Sequence, residues 1–194
     1  MKKFLTVAAV ALLSLAINSC KQEPVEVSGV VTYFFNKHQG YKPDIGAKVY
    51  LVTRNTDTLA DALLIIQSQE LIKSTQQTID SQEEFKGTEY YSEDMIKGGK
   101  DAIAAMQEAN KKILEKYKLT EEELIDKAYT QKLDIISSSK NITGAVDATG
   151  RYSIKAPKGK YSLVIASEGR EGKMHIEKIE IGKTPIQKDA KFEI

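Results

Sequence analysis

The sequence predicts an α+β fold: antiparallel β-structure divided into two stretches by a helical insertion. Three observations predict it. Residues 25–53 and 141–194 are rich in β-branched and aromatic side chains and are punctuated by Gly and Pro turns. Residues 57–140 instead place apolar side chains three and four apart, the period of a helix. The two strands of the first stretch are too few to be stable alone. They need the later strands, which brings the ends of the insertion together in space. Lengthening a surface loop costs little closure entropy, so an insertion of this size is tolerable.

The elements follow in order. Lys2 and Lys3 precede an apolar run, Phe4 to Ile17, of 14 residues. A membrane-spanning helix needs about 20, so the run reads as a secretion signal over residues 1–19. Ile17-Asn18-Ser19-Cys20 resembles the lipobox of bacterial lipoproteins, in a variant with isoleucine and serine common in Bacteroidetes-type bacteria. The resemblance implies cleavage before Cys20 and lipidation of its thiol and amine, an anchor held in the membrane by several acyl chains. A plain signal peptide leaving a free thiol is the alternative. Residues 20–24 form the lipidated tether. Lys21 stands where an inner-membrane retention signal has aspartate, so the expected location is the outer membrane, facing the periplasm or the cell surface.

Val25 to Phe35 reads as the first strand and Ala47 to Thr53 as the second, with a loop from Asn36 to Gly46. In the insertion, Ile65, Ser68, Ile72, Thr75 and Ile79 mark one helical stripe. Ile96, Gly99, Ile103, Met106, Asn110, Ile113 and Tyr117 mark a second, and Leu124, Ile125, Ala128, Ile135 and Ile136 a third. Ser92 followed by Glu93 and Asp94 suits a helix start, and Thr120 with Glu123 matches a capping box. Gly87, Gly98 and Gly99 weaken helix locally. Strand chemistry returns with Ile142 to Val146, a turn at Asp147-Ala148-Thr149-Gly150, and alternating Arg151 to Ala156. Pro157 to Lys160 turns the chain. Tyr161 to Ala166, Met174 to Ile181 and Ala190 to Ile194 complete it.

Asp147-Ala148-Thr149-Gly150-Arg151-Tyr152-Ser153-Ile154, then Pro157-Lys158-Gly159-Lys160-Tyr161-Ser162-Leu163, resembles the carboxypeptidase regulatory-like family. Val27-Ser28-Gly29-Val30-Val31 and Gly46-Ala47-Lys48-Val49-Tyr50-Leu51 match its first half. The resemblance implies a transthyretin-like, Ig-like antiparallel β-sandwich of about seven strands, a scaffold that serves many functions. It covers roughly 25–55 and 141–194. The expected organisation is a discontinuous sandwich, 25–56 with 141–194, around a two- or three-helix hairpin at 57–140, to which the resemblance does not extend.

Charge and composition exclude several function classes. Removing Lys2 and Lys3 from 28 basic residues leaves 26 against 27 acidic, no attraction for nucleic acid. The insertion 57–140 holds 17 acidic and 11 basic residues, so an acidic helical surface is paired with a basic sandwich. Solvated helix faces account for most such runs. With Cys20 consumed, neither a disulfide framework nor a thiolate metal site remains. His38 and His175 lack further ligands at suggestive spacing, so no metal and no cofactor are expected. There is no serine elbow, phosphate-cradling loop or His-Glu-x-x-His helix, and no segment resembles the zinc peptidase that often accompanies the family's domain. Glu121-Glu122-Glu123 is accounted for by the helix start.

The expectation is a non-catalytic module at the outer membrane. It would be held there through Cys20 and would meet an envelope protein partner through the helical insertion. Tyr33, Phe34, Phe35 and Tyr41 are the candidate ligand contacts, because exposed aromatics bind sugars. Core packing is the competing use of the same side chains. A glycan-binding accessory module is therefore the alternative function, and a divergent enzyme a further one.

Overall fold

The computed structural model describes residues 23–193. The signal segment and the expected lipidation at Cys20 lie outside the described residues. The chain divides into two compact units. One is residues 54–141 and the other joins the residues before them to those after them.

The sandwich unit contains β1 (Val25–Asn36), β2 (Gly40–Pro43), β3 (Lys48–Val52), β4 (Ile142–Ala145), β5 (Arg151–Ala156), β6 (Gly159–Ala166), β7 (Met174–Ile181), β8 (Ile186–Gln187) and β9 (Ala190–Phe192). One sheet runs β2-β1-β5, with β8 and β9 also on β1, and the other runs β4-β3-β6-β7. Val27, Val31, Tyr152 and Ile154 from the first sheet meet Val49, Leu51, Leu163, Ile165, Ile179 and Ile181 from the second in a single core. β5 shows the expected alternation, with Tyr152, Ile154 and Ala156 buried and Arg151, Ser153 and Lys155 exposed.

The α+β sandwich agrees with the expected class, with two differences of detail. Among the described residues nine strands form rather than about seven, and β8 and β9 run parallel to β1. The length of β1 explains both. Its first half pairs with β5 and its second half with β2, so the expected loop from Asn36 to Gly46 contains a strand. Its other edge remains open to β8 at Val27 and Ser28 and to β9 from Val31 to Tyr33. At the hand-over the Asp147–Gly150 turn takes the place of a strand: Val31 N donates to Gly150 O at 2.8 Å. Asp147 Oδ1 organises that turn, accepting from Thr149 N, Thr149 Oγ1 and Arg151 N at 2.8, 2.7 and 3.0 Å. The Thr149 hydroxyl is the largest of the effects that hold its carboxyl below the usual range. In the second sheet Leu51 of β3 sits opposite Ile142 of β4, so the chain leaves for the helices and returns from them at adjacent points.

The helical unit contains α1 (Asp57–Glu84), α2 (Glu93–Tyr117) and α3 (Glu121–Ser137). Leu59, Ala62, Ile65 and Ile79 of α1, Ile96 of α2 and Leu124, Ala128 and Ile135 of α3 are buried. Both expected starts carry their caps. Ser92 Oγ accepts from Met95 N, and Thr120 and Glu123 exchange the two bonds of a capping box. Those bonds from Thr120 hold the Glu123 carboxyl low. Gly98 and Gly99 do not interrupt α2. A Cβ on Gly99 would lie 3.0 Å from Ile79 Cδ1, so the small residue accommodates α1 at close range.

Candidate functional site

The aromatic residues singled out in the sequence lie on the β1–β2 hairpin. Asn36 shapes its tip: its Oδ1 accepts from His38 N at 3.0 Å and Gln39 N at 2.8 Å. Val31 of β1 is a core residue, so alternation puts Tyr33 and Phe35 on the core-facing side and Phe34 on the other. Tyr41 sits opposite Phe34 in the ladder and joins it.

The four residues therefore form two pairs. Phe34 and Tyr41 meet edge-to-face at 5.5 Å, and Tyr33 and Phe35 do so at 6.4 Å. Each pair is lined with charge. Lys191 Nζ lies 5.4 Å from the Tyr41 ring centroid, and the Tyr41 hydroxyl donates to Glu193. That bond to a carboxylate is the main reason the Tyr41 hydroxyl titrates above its ordinary value. On the other side Lys42 Nζ lies 3.6 Å above Phe35, and the Arg170 guanidinium 5.8 Å from the Tyr33 ring. Arg170 also donates to Phe34 O.

Tyr33 is partly buried against the sandwich core, whereas Phe35 and Tyr41 are each 43% exposed. Those two rings project from opposite faces of the hairpin and each already faces a lysine. A sugar stacking on one does not reach the other. The hairpin thus holds two self-contained aromatic clusters rather than one continuous platform.

A buried carboxylate that sequence reasoning missed supports this end of the sandwich. Asp44 is 1% exposed. It accepts from Ser167 Oγ at 2.5 Å, Glu168 N at 3.1 Å and Gly169 N at 2.7 Å, tying the β2–β3 turn to the β6–β7 loop. Gly169 then lies flat against Tyr33, where a Cβ would come within 2.6 Å of the ring. Asp44 sits in a segment whose Gly and Pro content reads as solvated loop, so no local signal marks it.

The two histidines are used separately. His38 is exposed in the hairpin turn. His175 lies on β7 opposite Ile165, its Nε2 at 3.8 Å from Glu177 Oε2. Glu177 also pairs with Lys188, which joins β7 to the β8–β9 connection of the other sheet. Tyr152 donates to Lys188 O at 2.7 Å, and burial, more than the nearby Asp189 and Glu177, pushes its hydroxyl far upward. Among the described residues no group of three or more His, Cys, Asp or Glu could hold a metal ion, and no helix is long and apolar enough to cross a membrane.

In the helical unit, Asp61 receives Lys116 Nζ and Tyr117 OH at 2.7 Å each, joining α1 to the end of α2. The bond to Asp61 raises the Lys116 ammonium above its ordinary value. Ser68 Oγ of α1 lies 2.8 Å from Asn110 Oδ1, so the asparagine in the α2 stripe serves the contact between helices. Beside it is an open groove of about 710 Å³ lined by Ile72, Asn110, Leu114 and Leu119 among others. A second apolar feature runs along α3. Tyr129, Leu133 and Ile136 are 60%, 49% and 46% exposed, on a different face from buried Leu124, Ala128 and Ile135.

No family model and no curated protein matches the sequence. The chain is similar to the full-length major pilin RrgB from Streptococcus pneumoniae, at 10% identity and a TM-score of 0.30. The similarity covers 88% of this chain and 30% of the pilin. At that score it carries no argument about function.

Proposed function

We propose that this chain is a non-catalytic cell-envelope lipoprotein, anchored in the outer membrane through Cys20, whose helical unit docks a protein partner. The observation that carries the reading is the exposed stripe of Tyr129, Leu133 and Ile136 on α3. A helix of a self-contained unit normally turns one apolar face to its core and a polar face to solvent. Here α3 has a buried apolar face and, in addition, an exposed one. Exposed apolar side chains grouped on one helix face mark interaction surfaces more often than scattered ones do. The sandwich is the support: its core is complete, and its aromatic hairpin is occupied by its own lysines and Glu193.

The test replaces residues 58–139 with a short Gly/Ser linker, which the adjacent positions of Leu51 and Ile142 permit. Envelope partners recovered with the full chain are expected to be lost. Recovery of the same partners with the shortened chain defeats the reading. A glycan array probed with the full chain and with Tyr41→Ala examines the hairpin directly, and specific sugar binding lost in the variant would replace the partner-docking reading with the glycan one.

A further inference from the structure

We infer that one end of the sandwich is built to rest on an anionic membrane surface, through Lys155, Lys158 and Lys183. The inference rests on the lipoprotein reading and extends it by naming which face of the protein meets the lipid. The strand registers define the two ends. Val25 lies opposite Ala156, and Gly159 opposite Ile181. The start of β1, the β5–β6 turn and the β7–β8 turn therefore gather at one end, the end at which β3 also leaves for the helical unit, Val52 lying opposite Ser162. Glu23, Pro24, Val25, Lys155, Lys158 and Lys183 line a shared groove there, together with Glu26 and Pro185.

The two turns at this end, Pro157-Lys158-Gly159-Lys160 and Gly182-Lys183-Thr184-Pro185, contain three lysines and no carboxylate. Lys155, Lys158, Lys160 and Lys183 are all exposed, and among the described residues none of them forms a salt bridge. Glu26 lies one position along β1 and its carboxylate accepts from Ser153 Oγ at 2.7 Å. Glu23 sits on the entering chain. The opposite end mixes signs in its turns: Lys37, Asp44, Asp147, Glu168, Arg170, Glu171 and Lys173.

The covalent chain fixes what this basic end faces. Cys20 precedes Glu23 by three residues. Three residues span at most about 11 Å, close to the Debye length of roughly 8–10 Å at physiological ionic strength. Acyl chains on Cys20 therefore hold the groove within electrostatic reach of the headgroups. A lysine near an anionic leaflet gains about 1 kcal/mol, a factor of roughly five in partitioning. Three lysines opposed by two nearby carboxylates leave a net effect of about fivefold.

The test uses the full-length lipidated protein on vesicles of phosphatidylcholine alone, or with a third of the lipid as phosphatidylglycerol. The rate of lysine acetylation is read by peptide mass spectrometry. Lys155, Lys158 and Lys183 are expected to be protected several-fold on the anionic vesicles, with protection lost in half-molar salt and with Lys37, Lys42 and Lys191 unchanged. Equal rates on both vesicles overturn the proposal. The same spectra report the mass of the N-terminal peptide, so a Cys20 without acyl groups is recognised separately as failure of the lipoprotein reading. In that event cosedimentation of the unacylated chain decides: binding to the anionic vesicles at least about tenfold better than Lys155→Gln/Lys158→Gln/Lys183→Gln supports the surface, and equal binding overturns it.

Discussion

Gly29→Ala is expected to destabilise the sandwich severely although it adds one methyl group. Gly29 sits in the middle of β1, opposite Tyr152. A Cβ there would lie 1.7 Å from Lys188 O, 2.6 Å from Lys188 C and 2.9 Å from Tyr152 Cε1. The first two are backbone atoms, so no side-chain rotation relieves the clash. Restoring an ordinary C···O contact of about 3.3 Å requires the β8–β9 connection to retreat by roughly 1.5 Å. That retreat breaks the bond from Tyr152 OH to Lys188 O, 2.7 Å, and the one from Lys188 N to Ser28 O, 2.8 Å. Each is worth about 1 kcal/mol, and overpacking adds about 1–3 kcal/mol. The total, about 3–5 kcal/mol, is a large share of a typical domain stability of about 5–15 kcal/mol. It corresponds to a fall in Tm of about 10 °C or more. The chain has no tryptophan, so urea unfolding would be followed by far-UV circular dichroism and tyrosine fluorescence. Tyr152→Phe alone should cost about 1 kcal/mol, and it should cost little more once Gly29→Ala has already broken the bond. A Gly29→Ala protein within about 0.5 kcal/mol of the parent, or additive costs for the two changes, would refute the close-approach account.

Asp44→Ala should leave the Ser167 hydroxyl and the Glu168 and Gly169 amides without their acceptor. The expected loss is about 2–4 kcal/mol, with faster hydrogen exchange confined first to the β6–β7 loop. Thr120→Ala removes the capping box of α3 and should cost about 1 kcal/mol, seen in denaturant unfolding and restored by Thr120→Ser. Acid should destabilise both units, because the Asp147 and Glu123 carboxyls are held below their ordinary values of 3.8 and 4.5. Their contribution is complete above those values and is lost as pH falls through the lower folded-state values. Unfolding midpoints measured downward from pH 5 should therefore drop less steeply for Asp147→Asn than for the parent; equal slopes would contradict this.

What could be read in the sequence is what local chemistry determines. Thr120 with Glu123, and Ser92 before two acids, announce helix starts because a cap is completed within three residues. The alternation of Arg151 to Ala156 identifies a strand with one buried face for the same reason. The misses are non-local. Gly40 to Pro43 resembles a loop in composition, and it becomes β2 only because the hairpin brings it against the far half of β1. The parallel placement of β8 and β9 depends on an edge of β1 more than 150 residues away. The burial of Asp44 depends on three donors from the 167–169 loop. The candidate aromatics were partly legible. Alternation correctly put Tyr33 and Phe35 on one face and Phe34 on the other, but the lysines around them come from β2 and β9 and the carboxylate from Glu193, just past β9. The exposed face of α3 was not separable either, since Ile136 belongs to the same apolar pattern as buried Ile135 and only packing tells them apart.

The measurement that bears most directly on the central claim is site-specific photo-crosslinking in living cells. A photoreactive residue would be placed at Leu133 on the exposed face of α3, at Tyr41 on the hairpin, or at Lys112 on the solvent side of α2. The account predicts one discrete adduct with an envelope protein from Leu133 and none of that mass from Lys112 or Tyr41. The same adduct from all three positions, or an adduct from Tyr41 with none from Leu133, would contradict it.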